Sequence, residues 1–324
     1  MIKDILISEE NYFNEMDNIV RPYLAGFEKT GKFKSFDEKE IFYRYYLNDN
    51  AKASVVVCHG FTENSEKFLE MIYYYHLEGY NVFALDHRGH GYSYREVEDT
   101  SVSHINKFED YVEDLNCFVE KIVKLESSSL PLFVYAHSMG GAVAVLYLMK
   151  YPDIFEKAVL TAPMIFPQTQ GVPVFATKLL TSFFKVIGMK KKRVFVQKSF
   201  DPKNVTYVFE MSNATSRNRF DYIMRTKINN KFYFNSCASY NWVRESLKIT
   251  KIMLNPKNCE KIKAKVFLFQ GEIDNSVRKE YQPMFVSMVK DAKIKEIKGS
   301  KHEIYLSPND VLEEYLTDIF EFLE

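Results

Sequence analysis

The chain has 324 residues, 46% of them apolar, and its 43 basic side chains are balanced by 43 acidic ones. That composition excludes a disordered protein, and the zero formal net charge excludes a global field drawing it to nucleic acid or an anionic membrane. Four scattered cysteines without C-x-x-C spacing, a start without a basic, apolar leader and the absence of any run of about 18 apolar residues point to a soluble protein of a reducing, cytoplasmic compartment with no metal site.

Tyr12, Phe13, Met16, Ile19 and Val20 recur at helical spacing over residues 8–25, which predicts an N-terminal helix ended near Pro22. Alternation and Phe/Tyr content over 32–47 predict a hairpin with its turn near Asp37-Glu38-Lys39. Residues 53–58 are a β-branched run with no polar face, as expected of a strand covered on both sides in a parallel sheet. That strand ends in His59-Gly60-Phe61. A helix over 65–77, a C-cap at Gly79 and a second buried strand over 81–85 follow, ending in Asp86-His87-Arg88-Gly89-His90-Gly91.

A helix over 108–125 leads to an apolar run rich in β-formers that stops at Ala136-His137-Ser138-Met139-Gly140-Gly141, after which apolar residues recur at helical spacing. This reads as strand, sharp turn, helix. A strand over 158–161 ends at Ala162-Pro163, and the rhythm then lapses until about residue 258. Helical patches at 177–187 and 209–226 and the basic run Lys190-Lys191-Lys192-Arg193 make 163–258 an expected helical cap, inserted into a core formed by 1–162 and 259–324. A strand over 264–270, a helix over 279–290, a strand over 293–297 and an amphipathic helix over 311–323 complete the chain. Alternating strands and helices predict a mostly parallel, doubly wound sheet with functional residues at the carboxyl ends of its strands.

Ser138 stands where the backbone must turn sharply, with φ > 0, and the small residues Ala136 and Gly140 let strand and helix come close. The usual pattern has glycine where Ala136 stands. A serine hydroxyl becomes a nucleophile when an imidazole takes its proton and a carboxylate orients that imidazole. In turns of this kind the order along the chain is Ser, acid, His, and His302, in Gly299-Ser300-Lys301-His302-Glu303, is the only one of the seven histidines that lies beyond Ser138. The strand over 264–270 ends in Gly271-Glu272-Ile273-Asp274, so Asp274 is the expected acid and Glu272 the fallback. The backbone N–H groups of Met139 and Phe61 are the expected oxyanion donors, with Gly60 allowing close approach. His59 reads as a loop-shaping residue rather than a base. The two histidines after Asp86 have spacing compatible with zinc, but no further cluster accompanies them, so a loop braced by Asp86 and Arg88 is expected and no cofactor is called for.

On His59-Gly60-Phe61, Asp86-His87-Arg88-Gly89-His90-Gly91, Ala136-His137-Ser138-Met139-Gly140-Gly141, Gly271-Glu272-Ile273-Asp274 and Gly299-Ser300-Lys301-His302, the chain resembles the α/β-hydrolase fold. Within that fold it is similar to the lysophospholipase and monoacylglycerol lipase family over roughly residues 32–322. Tyr240-Asn241-Trp242-Val243-Arg244-Glu245-Ser246 and Ser212-Asn213-Ala214-Thr215-Ser216-Arg217 look like segments of bacterial lysophospholipases, whereas 165–200 matches poorly. The resemblance implies a serine ester hydrolase that cleaves single-chain lipids through an acyl-enzyme on Ser138. A monoacylglycerol lipase or a general carboxylesterase is the alternative. A peptidase of the same fold would need cap carboxylates to hold a free amine, where this cap carries Lys and Arg; a non-catalytic binding protein would be expected to lack a member of the Ser138, Asp274, His302 set.

Two features of the cap bear on its partners. The apolar stripe over 177–187 with its basic end is expected either to touch a lipid surface transiently or to pack on the core. Arg217 and Arg244, with Arg219 and Arg225, are candidates to bind a phosphate head group, since a guanidinium fork matches two phosphate oxygens; alternatively they pair with Glu210, Asp221 and Glu245 to hold the cap together. Nucleic acid is not an expected partner, and the oligomeric state stays open.

Overall fold

The continuous apolar runs become the central strands of one sheet, because only a strand covered on both faces can use side chains without a polar side. The computed structural model, which describes every residue except Met1, Gln170, Thr206 and Tyr207, has β1 at Glu28–Lys34, β2 at Glu40–Tyr46, β3 at Ala53–Cys58 and β4 at Tyr80–Leu85. β5 (Val102–Ser103), β6 (Leu132–His137), β7 (Lys157–Thr161), β8 (Cys237–Ala238), β9 (Lys265–Gly271) and β10 (Ala292–Ile297) follow. The main sheet runs β1-β2-β4-β3-β6-β7-β9-β10, and β5 pairs with β8 apart from it. β2 is antiparallel to both β1 and β4, and from β4 to β10 every pairing is parallel.

Register sorts the side chains onto two faces. Phe83, Val56, Val134, Ala158 and Val266 lie side by side across the sheet and belong to one buried cluster. Val82, Val55 and Phe133, one residue earlier on each strand, belong to the cluster on the opposite face. Each such side chain stabilises the fold by about 1.5–3 kcal/mol when fully buried, which is why the chain commits these runs to the sheet's centre.

The N-terminal helix does not end near Pro22. It runs on as Tyr12–Glu15, a π segment Met16–Val20 and then Arg21–Ala25, with the Arg21 N–H reaching the Met16 carbonyl. Pro22 stands immediately after the π turn, where the chain already departs from regular α-helical bonding. The helix expected over 279–290 is shorter, Tyr281–Val286.

Between β7 and β9 the described residues add nothing to the main sheet and form the helices Val174–Val186, Arg217–Ile228 and Tyr240–Met253, the last of which carried no secondary-structure expectation. Two arginines of Arg217–Ile228 tie it to the rest. Fully buried Arg219 bonds both carboxylate oxygens of Glu70, which lies on the helix Leu69–Leu77, and Arg225 bonds Asp17 at 2.8 Å. Removing one partner of a buried pair of this kind costs about 3–5 kcal/mol. Among the described residues no helix is long and apolar enough to cross a membrane.

Candidate active site

β6 stops at His137, and Ser138 takes φ 51° and ψ −113° before the helix Met139–Lys150 begins. An L-residue is strained there, and the strain is held by backbone bonds on both sides: Ser138 N–H donates to the Thr161 carbonyl at 3.1 Å, while its own carbonyl accepts from Ala142 and Met164. Gly140 is required by packing. A Cβ there would lie 2.3 Å from the Cys58 carbonyl oxygen, so only glycine lets the helix meet the end of β3. Ala136 is fully buried in the core, and its methyl group is accommodated there.

Three loops at carboxyl ends of strands meet at Ser138. His302, after β10, has Nε2 at 2.8 Å from Ser138 Oγ. Asp274, after β9, has Oδ2 at 2.7 Å from His302 Nδ1, while its Oδ1 accepts the N–H groups of Ser276 at 2.8 Å and Val277 at 3.4 Å. A carboxylate can only accept, so Nδ1 carries the proton and Nε2 is left to take one from Ser138. Burial favours neutral forms of both groups, yet the pair overrides it: Asp274 beside His302 raises the imidazole above its ordinary value, and His302 with the two N–H donors lowers the Asp274 carboxyl. The sequence therefore supplies the members and the fold supplies their contact. Glu272 turns elsewhere, with Oε2 accepting the Gly299 N–H at 2.8 Å.

A pH dependence follows. His302 accepts a proton only when neutral, and its folded value is raised, so kcat/KM should climb with pH through a midpoint above the unperturbed histidine value of about 6.5. A profile of ester turnover that stays flat between about pH 5 and 8, with chemistry limiting, would remove His302 from the base position.

Met139 opens the elbow helix, and Phe61 follows Gly60, whose position is so close that a Cβ would lie 3.1 Å from Ser138 Cβ. Among the described residues neither the Met139 nor the Phe61 N–H bonds another backbone or side-chain group outside the helix, so neither is committed elsewhere. His59 shapes this loop: Nδ1 donates to the Gly60 carbonyl at 2.8 Å, and Nε2 accepts the His87 N–H at 2.9 Å, joining the ends of β3 and β4. Burial holds His59 below its usual value and suits that neutral form. Asp86 accepts the N–H groups of Ser65 and Tyr92, and Arg88 bonds Asp114 and Asp37, so these side chains are committed to bracing their loop.

Ser138 and His302 form the floor of a cavity of about 420 Å³ with apolar walls that include Met164, Leu180, Trp242, Val243, Leu247 and Val277. The Trp242 ring packs, tilted, 4.1 Å from that of Phe61, so the helix Tyr240–Met253 rests on the loop after β3. A second cavity of about 190 Å³ adjoins it, sharing Thr62, Glu63, Asn213 and Glu303 and adding Lys67 and Lys227.

Arg217 and Arg244 are not on either wall. Arg217 is exposed and bonds Asp221 at 2.8 Å, one turn along its own helix, and Arg244 bonds Glu245 at 2.7 Å. Val243, Ser246 and Leu247 take the cavity face of that helix, which turns Arg244 away. Of the two expectations for these arginines, the structure shows the pairing with acids of the same segment and places neither on a cavity wall. Arg217→Ala should change kcat/KM for lysophospholipid and for monoacylglycerol alike by less than about threefold, as an exposed ion pair contributes little, whereas Arg244→Ala, which takes a partner from buried Glu245, should lower both by the same factor; a selective loss on the phospholipid in either variant would support the head-group role.

Sequence reasoning missed a group behind Ser138 and His302, formed by buried Glu63, His137 and Tyr305 with partly buried Lys67. Its only signal was Glu63 and Lys67 four residues apart at the start of a helix.

A family model, Hydrolase_4 (serine aminopeptidase, S33), matches residues 49–309. The chain is 25% identical over 289 residues to the probable lysophospholipase L2 of Haemophilus influenzae, covering 88% of each protein. It is 35% identical over 134 residues to lysophospholipase L2 of Escherichia coli, a match spanning 41% of this chain and 39% of that protein. A soluble variant of monoglyceride lipase from Saccharomyces cerevisiae, solved with a substrate analog, superposes with a TM-score of 0.70 at 19% identity, covering 91% of this chain and 95% of that one.

Proposed function

Because the chain belongs to the Hydrolase_4 family of α/β-hydrolases, we propose that it is a lipid ester hydrolase in which Ser138 attacks the acyl ester of a single-chain lipid. The observation that carries this reading is the 2.8 Å contact of Ser138 with His302 on the floor of an apolar cavity. His302 Nε2 takes the Ser138 proton as Oγ bonds the ester carbonyl carbon, and Asp274 steadies the imidazolium. The oxyanion that forms is held by the N–H groups of Met139 and Phe61. Collapse breaks the ester C–O bond, and His302 returns the proton to the departing alcohol. Water, deprotonated by the same nitrogen, then releases the fatty acid and restores Ser138.

The acyl chain suits the apolar cavity, and the alcohol portion suits the smaller one beside it, whose wall carries Glu63, Lys67 and Glu303. Residues 163–258 act as the cap that closes both. Relatives named as lysophospholipases favour a lysophospholipid over a monoacylglycerol. A peptidase of this family would need a free carboxylate for a substrate amine, yet Glu63 and Glu303, the acids on the wall, both bond Lys67. A turnover panel of lysophosphatidylcholine, monoacylglycerol, short nitrophenyl esters and an aminoacyl amide tests this. Turnover of the amide above that of every ester would overturn the lipid assignment.

Transient contact of the cap with a lipid surface is part of the same reading. On Val174–Val186, Thr177 and Thr181 are buried, Leu180 lines the cavity and Phe184 stacks on Tyr240 at 3.8 Å. The other face carries Phe175, Leu179, Phe183 and Val186, which are 73%, 57%, 58% and 85% exposed, with Lys178 and Lys185 beside them. An outward apolar stripe flanked by lysines matches an anionic bilayer surface. Of the basic run, Lys190 bonds Asn106 and Lys191 pairs with Glu96, so the apolar stripe carries more of the binding than those lysines. Leu179→Asp with Phe183→Asp should weaken binding to anionic vesicles by about tenfold or more and leave hydrolysis of a short soluble ester unchanged. Undiminished vesicle binding would remove the membrane contact.

A further inference from the structure

Behind the reacting groups lies a second buried pair that the steps above leave unused. Glu63 is 3% exposed and its two oxygens accept four donors. Oε2 takes the Gly60 N–H and His137 Nδ1, the latter at 2.8 Å; Oε1 takes Lys67 Nζ at 2.9 Å and the Tyr305 hydroxyl. His137, 1% exposed, turns Nε2 to the backbone carbonyl of His302 at 3.2 Å. The partners come from separate loops. Gly60 precedes Phe61 in the oxyanion loop, His137 precedes Ser138 at the elbow, and His302 and Tyr305 belong to the segment after β10.

Nothing local fixes those loops relative to one another, because they leave different strands and are far apart in sequence. Acyl transfer needs them aligned to a fraction of an ångström, and a displacement of about 1 Å costs on the order of 10²-fold. One carboxylate with four donors is a rigid node between them. Burial alone would raise the Glu63 carboxyl, but His137 and Lys67 beside it hold it well below the usual carboxylate range.

We propose that Glu63 and His137 form a positioning pair that holds the oxyanion loop, the nucleophile elbow and the loop of the base in register. The inference rests on the Ser138 reading above and deepens it. Both residues act through others: Glu63 through the Gly60 N–H, His137 through the His302 carbonyl. A carbonyl and a carboxylate are both acceptors, so His137 satisfies the two only by donating from both ring nitrogens. That gives the pair a signature that loss of packing alone would not imitate.

The full-length chain is tested as wild type and Glu63→Gln. The readouts are the rate of labelling by a fluorophosphonate, kcat and KM for a short nitrophenyl ester, and the ¹H–¹⁵N imidazole spectrum at neutral pH. The wild type should label and show two ring N–H groups on His137. Glu63→Gln should label and turn over roughly 10- to 100-fold more slowly, on the scale seen for groups that orient a ligand, with KM within about threefold and one His137 ring N–H lost. An undiminished labelling rate in Glu63→Gln overturns the inference, and so does a single ring N–H on His137 in the wild type. Should Glu63→Gln fail to fold by near-UV circular dichroism, Tyr305→Phe takes its place, since it removes one donor and keeps the ring packed 4.6 Å from that of Phe68. A kcat roughly 5- to 10-fold lower with KM unchanged supports the pair, and an unchanged kcat overturns it. A wild type that does not label overturns the Ser138 reading, and this inference falls with it.

Discussion

Ser138→Ala is expected to lose roughly 10⁴-fold or more in kcat and to fold as the parent does. The substitution removes one atom, Oγ, whose partner is His302 Nε2 at 2.8 Å. The elbow itself is held by the backbone: the Ser138 N–H to the Thr161 carbonyl, the Ser138 carbonyl to Ala142 and Met164, and no side-chain cap on the helix that follows. Alanine keeps all of these and tolerates the positive φ no worse than serine does. His302 and Asp274 remain, but without a nucleophile they activate nothing, because the members of such a set act as a unit. What survives comes from the oxyanion donors and from binding. Turnover of a nitrophenyl ester and thermal melting by circular dichroism check both halves of the expectation. Activity within about tenfold of the parent would mean that the elbow does not carry the nucleophile.

Asp274→Asn should lose about 10³- to 10⁴-fold in kcat at neutral pH, for a reason that the hydrogen bonds of Asp274 make specific. Oδ1 accepts the N–H groups of Ser276 and Val277, so the amide oxygen of an asparagine stays on that side. Its NH₂ group then faces His302 Nδ1, where the carboxylate oxygen stood at 2.7 Å. A donor there favours the tautomer protonated on Nε2, which can no longer accept the Ser138 proton. Loss of the carboxylate also removes what raises His302, so the remaining activity should rise with pH through a lower midpoint than in the parent. Glu272→Gln, which alters only the contact with the Gly299 N–H, should stay within about tenfold of the parent. The opposite ranking of the two variants would move the acid two residues upstream.

The strands were legible because burial on both faces leaves a mark in one dimension. The run at 53–58 has no polar side, and β3 is buried at every position. Chain order singled out Ser138, Asp274 and His302 for a related reason: each lies on the loop after a strand, and parallel strands carry their carboxyl ends to one edge of the sheet. Helix rotation and side-chain pairing leave no such mark. Whether Arg217 faces a ligand or Asp221, and whether Arg244 or Leu247 meets the cavity, depends on which face of a helix its neighbours cover. Arg219 looked like Arg217 in sequence and is instead buried against Glu70, a partner 149 positions away. Glu63 and His137 stand 74 positions apart, and neither has a local pattern that names the other. Apolar periodicity and strand-end residues are properties of short segments and were determined by the sequence itself. The pairing of charges between distant segments was decided by the tertiary structure, because an ion pair forms wherever packing brings two side chains together and excludes the water that would otherwise solvate each alone.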